Sequence, residues 1–157
     1  MHGNLIIDWY NDINKKNILE NKNQSIEKKL SDGLTIVKDN NSYKIKNKDG
    51  KVLSKLNYYE YKIKDFDWVL MANLDTKPEF RGQGLATKIL NSLYDDISHN
   101  TNKGIYLFVK VDNENAINLY KKLGYKTVKT YTLDDGDYLI MAKGKADIKQ
   151  LTRMNFS

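Results

Sequence analysis

Two glycines separated by one residue, Gly82 and Gly84, stand immediately before an apolar run with helical spacing, and that arrangement has a chemistry. A helix start leaves its first N–H groups without intrahelical partners and carries partial positive charge. Glycine has no Cβ to hold a ligand away from those amides, so an anion as large as a pyrophosphate fits against them. The segment Leu74-Asp75-Thr76-Lys77-Pro78-Glu79-Phe80-Arg81-Gly82-Gln83-Gly84-Leu85-Ala86 leads from a strand, through the chain's single proline, into that start. Two other phosphate loops fit poorly. A Walker loop needs glycine, four residues and then Gly-Lys-Ser/Thr, which is absent; a dinucleotide fingerprint opens the first βαβ unit, whereas this loop follows several strands. Arg81 is placed either to contact phosphate or to pair with Glu79. Lys88, Lys121 and Lys122 are further cations for phosphate, or simply solvated lysines. The chain has no cysteine, which excludes a disulfide framework, a thiolate metal site and an acyl-cysteine intermediate; with His2 and His99 as the two histidines, no metal cluster is expected.

The elements that must position this loop follow from the hydrophobic pattern. Ile13, Ile18, Leu19, Ile26 and Leu30 suit one or two short amphipathic helices in a polar, Asn/Lys-rich opening, residues 1–32. From Leu34 the pattern changes to β-prone runs at Leu34 to Val37, Ser42 to Ile45, Val52 to Ile63 and Trp68 to Asp75, with turns at Asp39-Asn40-Asn41 and Lys48-Asp49-Gly50. Leu85, Ile89, Leu90, Leu93 and Ile97 then fall on one face of a helix of about four turns. Ile105 to Val111 is expected as a buried strand. Glu114 to Leu123 is a second helix with Asn113 as N-cap and Gly124 as its stop, and strands follow near Tyr125 to Leu133 and Tyr138 to Ala142. Residues 143–157 are expected to form a polar tail with a helical turn or two. The result is one α/β domain of 157 residues, with a mixed sheet core over 33–142 in which one strand–helix–strand crossover makes a parallel pair inside an otherwise antiparallel sheet.

Arg81-Gly82-Gln83-Gly84-Leu85-Ala86 resembles the Arg/Gln-x-x-Gly-x-Gly/Ala coenzyme A loop of the GNAT superfamily of N-acetyltransferases. The lead-in Leu74-x-Thr76-x-Pro78-Glu79-Phe80-Arg81-Gly82 is similar to that family's Leu-x-Val-x-Pro-x-Tyr-Arg-Gly, with Thr76 in place of Val. A second segment, Asn113-Glu-Asn-Ala116-Ile-Asn-Leu-Tyr120-Lys-Lys-Leu-Gly124-Tyr125, resembles the family's Asn-x-x-Ala-x-x-x-Tyr-x-Lys-x-Gly-Phe. The two lie in order with a strand between them and cover roughly residues 68–126; the opening third of the chain carries no such likeness.

The resemblance implies a GNAT-like fold whose central parallel strands splay apart, and acetyl-coenzyme A as cosubstrate, with no metal. It assigns the cofactor-binding role to Leu74, Thr76, Arg81, Gly82, Gln83, Gly84, Leu85, Ala86, Thr87, Asn113, Ala116 and Tyr120. Leu74 and Thr76 would offer main-chain groups to the pantetheine arm, with a backbone N–H near Leu74 polarising the thioester carbonyl. Tyr120 would be the catalytic acid, although Ala116, Leu119, Tyr120 and Leu123 also read as an apolar stripe that packs on a core. The leaving thiol has a pKa of ~8.5, so a phenol near 10 is sufficient help. A lysine-like amine is neutral in only about one part in two thousand at pH 7, a cost on the order of 4 to 5 kcal/mol, so a base or desolvation is needed. Glu60, Asp67 and Asp75 are candidates for that base, as is a water chain.

The formal charge of +6 attracts polyanions, coenzyme A among them. All but two of the basic residues are lysines spread along the chain, so nucleic acid is not the expected partner, although Tyr58, Tyr59 and Tyr61 could stack bases. The acceptor amine is open, and Tyr58 to Tyr61, Phe66 and Trp68 suggest an aromatic-lined cleft for a cation. A coenzyme A-binding module without catalysis and a basic nucleic-acid-associated protein are the alternatives. No stretch approaches the length of a membrane span, and a cytoplasmic monomer or homodimer is expected.

Overall fold

The computed structural model describes residues 25–63, 65–99, 102–146 and 148–153. Over these the chain forms strands β1 (Ile26–Lys29), β2 (Thr35–Lys38), β3 (Ser42–Lys46), β4 (Val52–Ile63), β5 (Phe66–Thr76), β6 (Lys103–Lys110), β7 (Lys126–Leu133) and β8 (Gly136–Gly144), with helices α1 (Leu85–Ile97), α2 (Glu114–Lys122) and α3 (Ile148–Arg153). The strands make one sheet in the order β1-β2-β3-β4-β5-β6-β8-β7. Every neighbouring pair is antiparallel except β5 and β6, which run parallel because α1 carries the chain back across the sheet between them.

The sheet has an apolar layer on each face. On one face α1 buries Leu85, Ile89, Leu90, Leu93 and Ile97, the five positions of the sequence pattern, against Leu56, Tyr58, Val69, Met71, Ile105 and Leu107, and α2 adds Ile117 and Tyr120. On the other face Trp68, Leu70, Tyr106, Ile140 and Ala142 pack with Ala146 and Leu151. Burying an aliphatic side chain of this size contributes about 1.5 to 3 kcal/mol, so the five buried residues of α1 are ample to hold that helix to the sheet.

The β4–β5 hairpin is the longest ladder, and it carries an irregularity. Asn57 pairs with Asn73 but Tyr58 pairs with Met71, leaving Ala72 as an extra residue on β5. An extra residue bends its strand and reverses which face and which edge the following residues present.

Two expectations need correction. Residues 26–32 are not helical: Ile26–Lys29 is the outer strand of the sheet and Ser31–Gly33 is a single 3-10 turn, because the extended backbone of β2 offers β1 a ladder that a helix could not use. The expected helix over Ile13, Ile18 and Leu19 lies outside the described residues. Nor are the described residues of 143–157 simply a polar tail, although the expected helical turn is present as α3. Strand β8 continues to Gly144, Ala146 and Leu151 are buried, and α3 closes one face of the sheet. The sheet core therefore extends at both ends beyond 33–142.

Candidate functional site

The parallel ladder between β5 and β6 is short. It runs from Asp67 opposite Lys103 to Met71 opposite Leu107 and stops, although β5 continues to Thr76 and β6 to Lys110. Throughout, β5 stays paired with β4, up to Thr76 opposite Ser54. The two central strands thus part at the extra residue Ala72. Main-chain groups show what the bend accomplishes. Before it, the N–H of Asp67 points to the β6 side and donates to the Asn102 carbonyl (2.9 Å); after it, the N–H of Lys77 points to the β4 side and donates to Leu53 (3.0 Å). Both residues are odd-numbered, so the alternation has reversed, and it is Leu74 and Thr76 whose main-chain groups face the gap. The side chain of Thr76 turns the other way, its hydroxyl 2.8 Å from that of Ser54.

Beyond the gap, Pro78–Phe80 makes one 3-10 turn and the chain enters α1 through Gly82 (φ +81°) and Gly84 (φ +74°). A left-handed conformation at both positions strains any residue with a Cβ. A Cβ built on either would meet nothing within 4 Å, so the space over the loop is open. Gly84 caps α1 without any side-chain hydrogen bond, and the first turn of α1, which includes Ala86 and Thr87, contains no acidic residue. The main-chain N–H of Lys88 donates to the Gly84 carbonyl (3.1 Å), so the amides that precede it are the ones without intrahelical partners. Gln83 is exposed beside them, and Leu85 is buried as the first core residue of the helix. Arg81 does not pair with Glu79 among the described residues; its Nε donates to the Thr76 carbonyl (3.0 Å), tying the loop back to the end of β5.

The second motif enters from β6. Asn113 caps α2, its side-chain oxygen accepting from the Ala116 N–H (3.2 Å), while the apolar Val111 beside it is 44% exposed. Both α1 and α2 begin at the carboxyl ends of the parallel strands, so two helix starts flank the gap. Tyr120 is buried in the same apolar layer as Met71 and Val109, its ring 5.6 Å from that of Tyr125 in edge-to-face contact. Burial raises its pKa, and its hydroxyl has no hydrogen-bond partner among the described residues. Tyr120 is therefore a protonated donor at neutral pH.

Other residues singled out in the sequence are not gathered here. Glu60 pairs with Lys103 (3.3 Å) and Asp67 with Lys62 (3.6 Å), at the closed end of the β5–β6 ladder. Asp75 is exposed and sits opposite Lys55. Lys88 is exposed on the first turn of α1, whereas Lys121 and Lys122 occupy the last turn of α2, where cations complement the helix dipole. The expected aromatic cleft is corrected: Tyr58, Tyr61 and Trp68 are all buried, Tyr58 in one apolar layer and Tyr61 and Trp68 in the other, because neighbouring strand residues point to opposite faces. Tyr58 and Tyr61 are equally unable to stack bases, and Tyr59 is half-buried against the second layer. Among the described residues no group of acidic or histidine side chains is arranged to hold a metal.

Comparisons with known proteins agree with this geometry. Residues 64–133 match the family described as FR47-like protein. The chain is 42% identical over 71 residues to the N-terminal acetyltransferase B complex catalytic subunit NAA20 of Arabidopsis thaliana, covering 42% of this chain and 40% of that one. It is 35% identical over 83 residues to a putative ribosomal protein bS18-alanine N-acetyltransferase of Bacillus subtilis, covering 47% and 55%. The chain thus spans about half, or less, of the length of these relatives. Among solved structures, Arabidopsis thaliana Naa50 in complex with the bisubstrate analogue CoA-Ac-MVNAL superposes with a TM-score of 0.61 at 23% identity, over 68% of this chain and 74% of that one. With its one parallel pair, its parted strands and its glycine-lined helix start, the chain has a GNAT-like fold.

Proposed function

We propose that this chain is an acetyl-coenzyme A-dependent N-acetyltransferase whose acceptor is the α-amine of a polypeptide. The observation that carries the reading is the main-chain edge of β5 from Leu74 to Thr76, which among the described residues has no partner strand on the β6 side and whose last carbonyl, that of Thr76, is held by Arg81; it leads directly to the uncapped start of α1. An extended amide-containing arm can pair with such an edge while its diphosphate rests on the helix amides around Gly82, Gly84, Leu85, Ala86 and Thr87. Arg81 holds the two parts in register. Asn113 and Ala116 shape the opposite wall through the start of α2.

In the transfer, the neutral amine nitrogen bonds to the thioester carbon, the C–S bond breaks, coenzyme A leaves as the thiolate, and the proton shed by the nitrogen passes to solvent water. The N–H of Leu74 is aimed to polarise the carbonyl. Tyr120 has a pKa above the ordinary phenol value, so it serves the leaving sulfur as a hydrogen-bond donor and not as the final source of its proton.

The choice of acceptor follows from the base. Glu60 and Asp67 are committed to ion pairs away from the gap. An α-amine, with a pKa of ~7.7 to 8.0, is neutral in roughly a sixth to a tenth of molecules at pH 7, a cost of about 1 kcal/mol, against about 4 to 5 kcal/mol for a lysine side chain. Among the described residues no carboxylate is shown held as a base at the gap, which suits the former. The names of the relatives, an N-terminal acetyltransferase subunit and an alanine N-acetyltransferase, support the same acceptor.

Calorimetric titration with acetyl-coenzyme A, followed by thiol release with peptides bearing a free α-amine or an acetylated N-terminus and one free lysine, tests both parts. Binding, with turnover of the first peptide class, is expected. Equal turnover of the lysine peptides would overturn the acceptor assignment. Binding without turnover of any amine would leave a coenzyme A-binding module, and absence of heat would remove the reading entirely.

A further inference from the structure

Helix α2 has nine residues, and its end is built from main-chain bonds. The N–H of Tyr125 donates to the Tyr120 carbonyl (2.9 Å) and that of Gly124 to Lys121 (3.0 Å), with Gly124 at φ +95°. This is the double bond pattern of a Schellman ending, which leaves the carbonyl of the capping residue, Leu123, without a main-chain donor. Lys143 of β8 supplies one: its Nζ lies 2.6 Å from the Leu123 oxygen. The same ammonium sits 3.9 Å from the centre of the Tyr94 ring on α1 and 5.8 Å from that of Tyr125. Its stem fills the space beside Gly124, where a Cβ would come within 3.5 Å of it. One side chain from the sheet therefore touches both helices of this face and the turn after Tyr120.

We propose that Lys143 is a positioning residue for Tyr120, clamping the last turn of α2 to α1 and to the sheet and so setting where the Tyr120 hydroxyl stands. This rests on the reading of Tyr120 as the donor to the leaving sulfur. The anchor adds a side-chain tie from the sheet to an ending otherwise held by its two main-chain bonds and by the buried rings of Tyr120 and Tyr125. A carbonyl held by a charged donor is worth more than one held by water, and a cation over an aromatic face at this range adds to it. The titratable groups around the ammonium are Tyr94 and Asp95 from α1 and Tyr125 after α2.

Lys143→Met keeps the stem and removes the donor and charge; Lys143→Arg restores both in altered shape. We expect Lys143→Met to lower kcat by about five- to twentyfold with the KM for acetyl-coenzyme A within about twofold, Lys143→Arg to recover much of the loss, and the double variant with Tyr120→Phe to be no slower than Tyr120→Phe alone. A second readout does not depend on turnover. In protein labelled at the tyrosine ring carbon bearing oxygen, the Tyr120 resonance, identified by its loss in Tyr120→Phe, moves in Lys143→Met and returns towards its place in Lys143→Arg. If Lys143→Met does not fold, Lys143→Gln, which keeps one donor without charge, replaces it in both measurements. An unmoved Tyr120 resonance, or additive losses in the double variant, would overturn the clamp. Full turnover in Tyr120→Phe would instead remove Tyr120 from the chemistry, and the resonance would still report whether Lys143 places it.

Discussion

Between Asp67 and Met71, strand β5 has a partner on each side and apolar layers above and below; between Ala72 and Thr76 the same strand has, among the described residues, a partner on one side only. The first half contains Trp68, Val69 and Leu70, all essentially inaccessible, while Asn73 and Asp75 of the second half are exposed. One inserted residue separates a segment that holds the sheet together from a segment that leaves main-chain hydrogen-bonding capacity for something else. Stability and function are thus divided along a single strand, and substitutions at its two ends should fail in different ways.

The largest effect should come from the open end. Gly84→Val places a β-branched residue at φ +74° and sets methyl groups over the helix amides. The dissociation constant for acetyl-coenzyme A should rise at least hundredfold, about 2.7 kcal/mol, with the fold retained, as calorimetry and far-UV circular dichroism would show. Unchanged affinity would mean that the loop does not hold the diphosphate. At the closed end, the Cβ of Gly104→Ala would lie 2.8 Å from the Trp68 ring and 3.0 Å from Ala146, and that ring is 1% exposed with no room to retreat. Urea denaturation should show a loss of about 2 to 3 kcal/mol, while affinity measured on the folded protein stays within about threefold. Loss of binding in a folded Gly104→Ala protein would erase the division between the two ends.

Tyr120→Phe keeps the packing and removes one hydroxyl, so kcat should fall by about tenfold to a hundredfold, roughly 1.4 to 2.7 kcal/mol, with little change in acetyl-coenzyme A binding. Steady-state kinetics beside calorimetry checks the split. The smallest effect concerns pH. Tyr61 and Tyr125 have pKa values raised by burial, as do Tyr43 and Tyr58, to which Asp96 and Glu60 add. Because the folded values lie above the unfolded value near 10, the stability these groups supply is complete below pH 10 and drains away as the pH climbs through it. Urea midpoints should therefore be insensitive to these tyrosines from pH 7 to 9 and fall between pH 10 and 11; a steady decline from pH 8 would contradict their burial.

Much of this was legible in the residues. The five apolar positions of α1, the Asn113 cap and the two glycines were read from spacing alone, since each depends on interactions within a few residues. The extra residue at Ala72 was not, because nothing in Leu70-Met71-Ala72-Asn73-Leu74 distinguishes a regular strand from a bent one; the bend exists only as a register against β4. Lys143 was invisible for the same reason: one more lysine in a lysine-rich chain, its partners at Tyr94 and Leu123 are distant in sequence. The segment 26–32 was misread because its apolar spacing suits a short helix, whereas its partner strand β2 decides the matter. Tyr58 and Tyr61 were grouped by proximity in the chain, and strand alternation sends them to opposite faces.

Helix α1 also acts as a strut. Its 13 residues span about 20 Å, from the paired glycines to Asp96 near its far end, where the Tyr43 hydroxyl and the Lys38 ammonium grip that carboxylate. A glycine hinge is ordinarily limp, but this one is the tip of a rod bolted to the β2–β3 hairpin. The rigidity needed at the mouth is thus borrowed from residues at the opposite end of the helix, and loosening the bolt would blunt the tip.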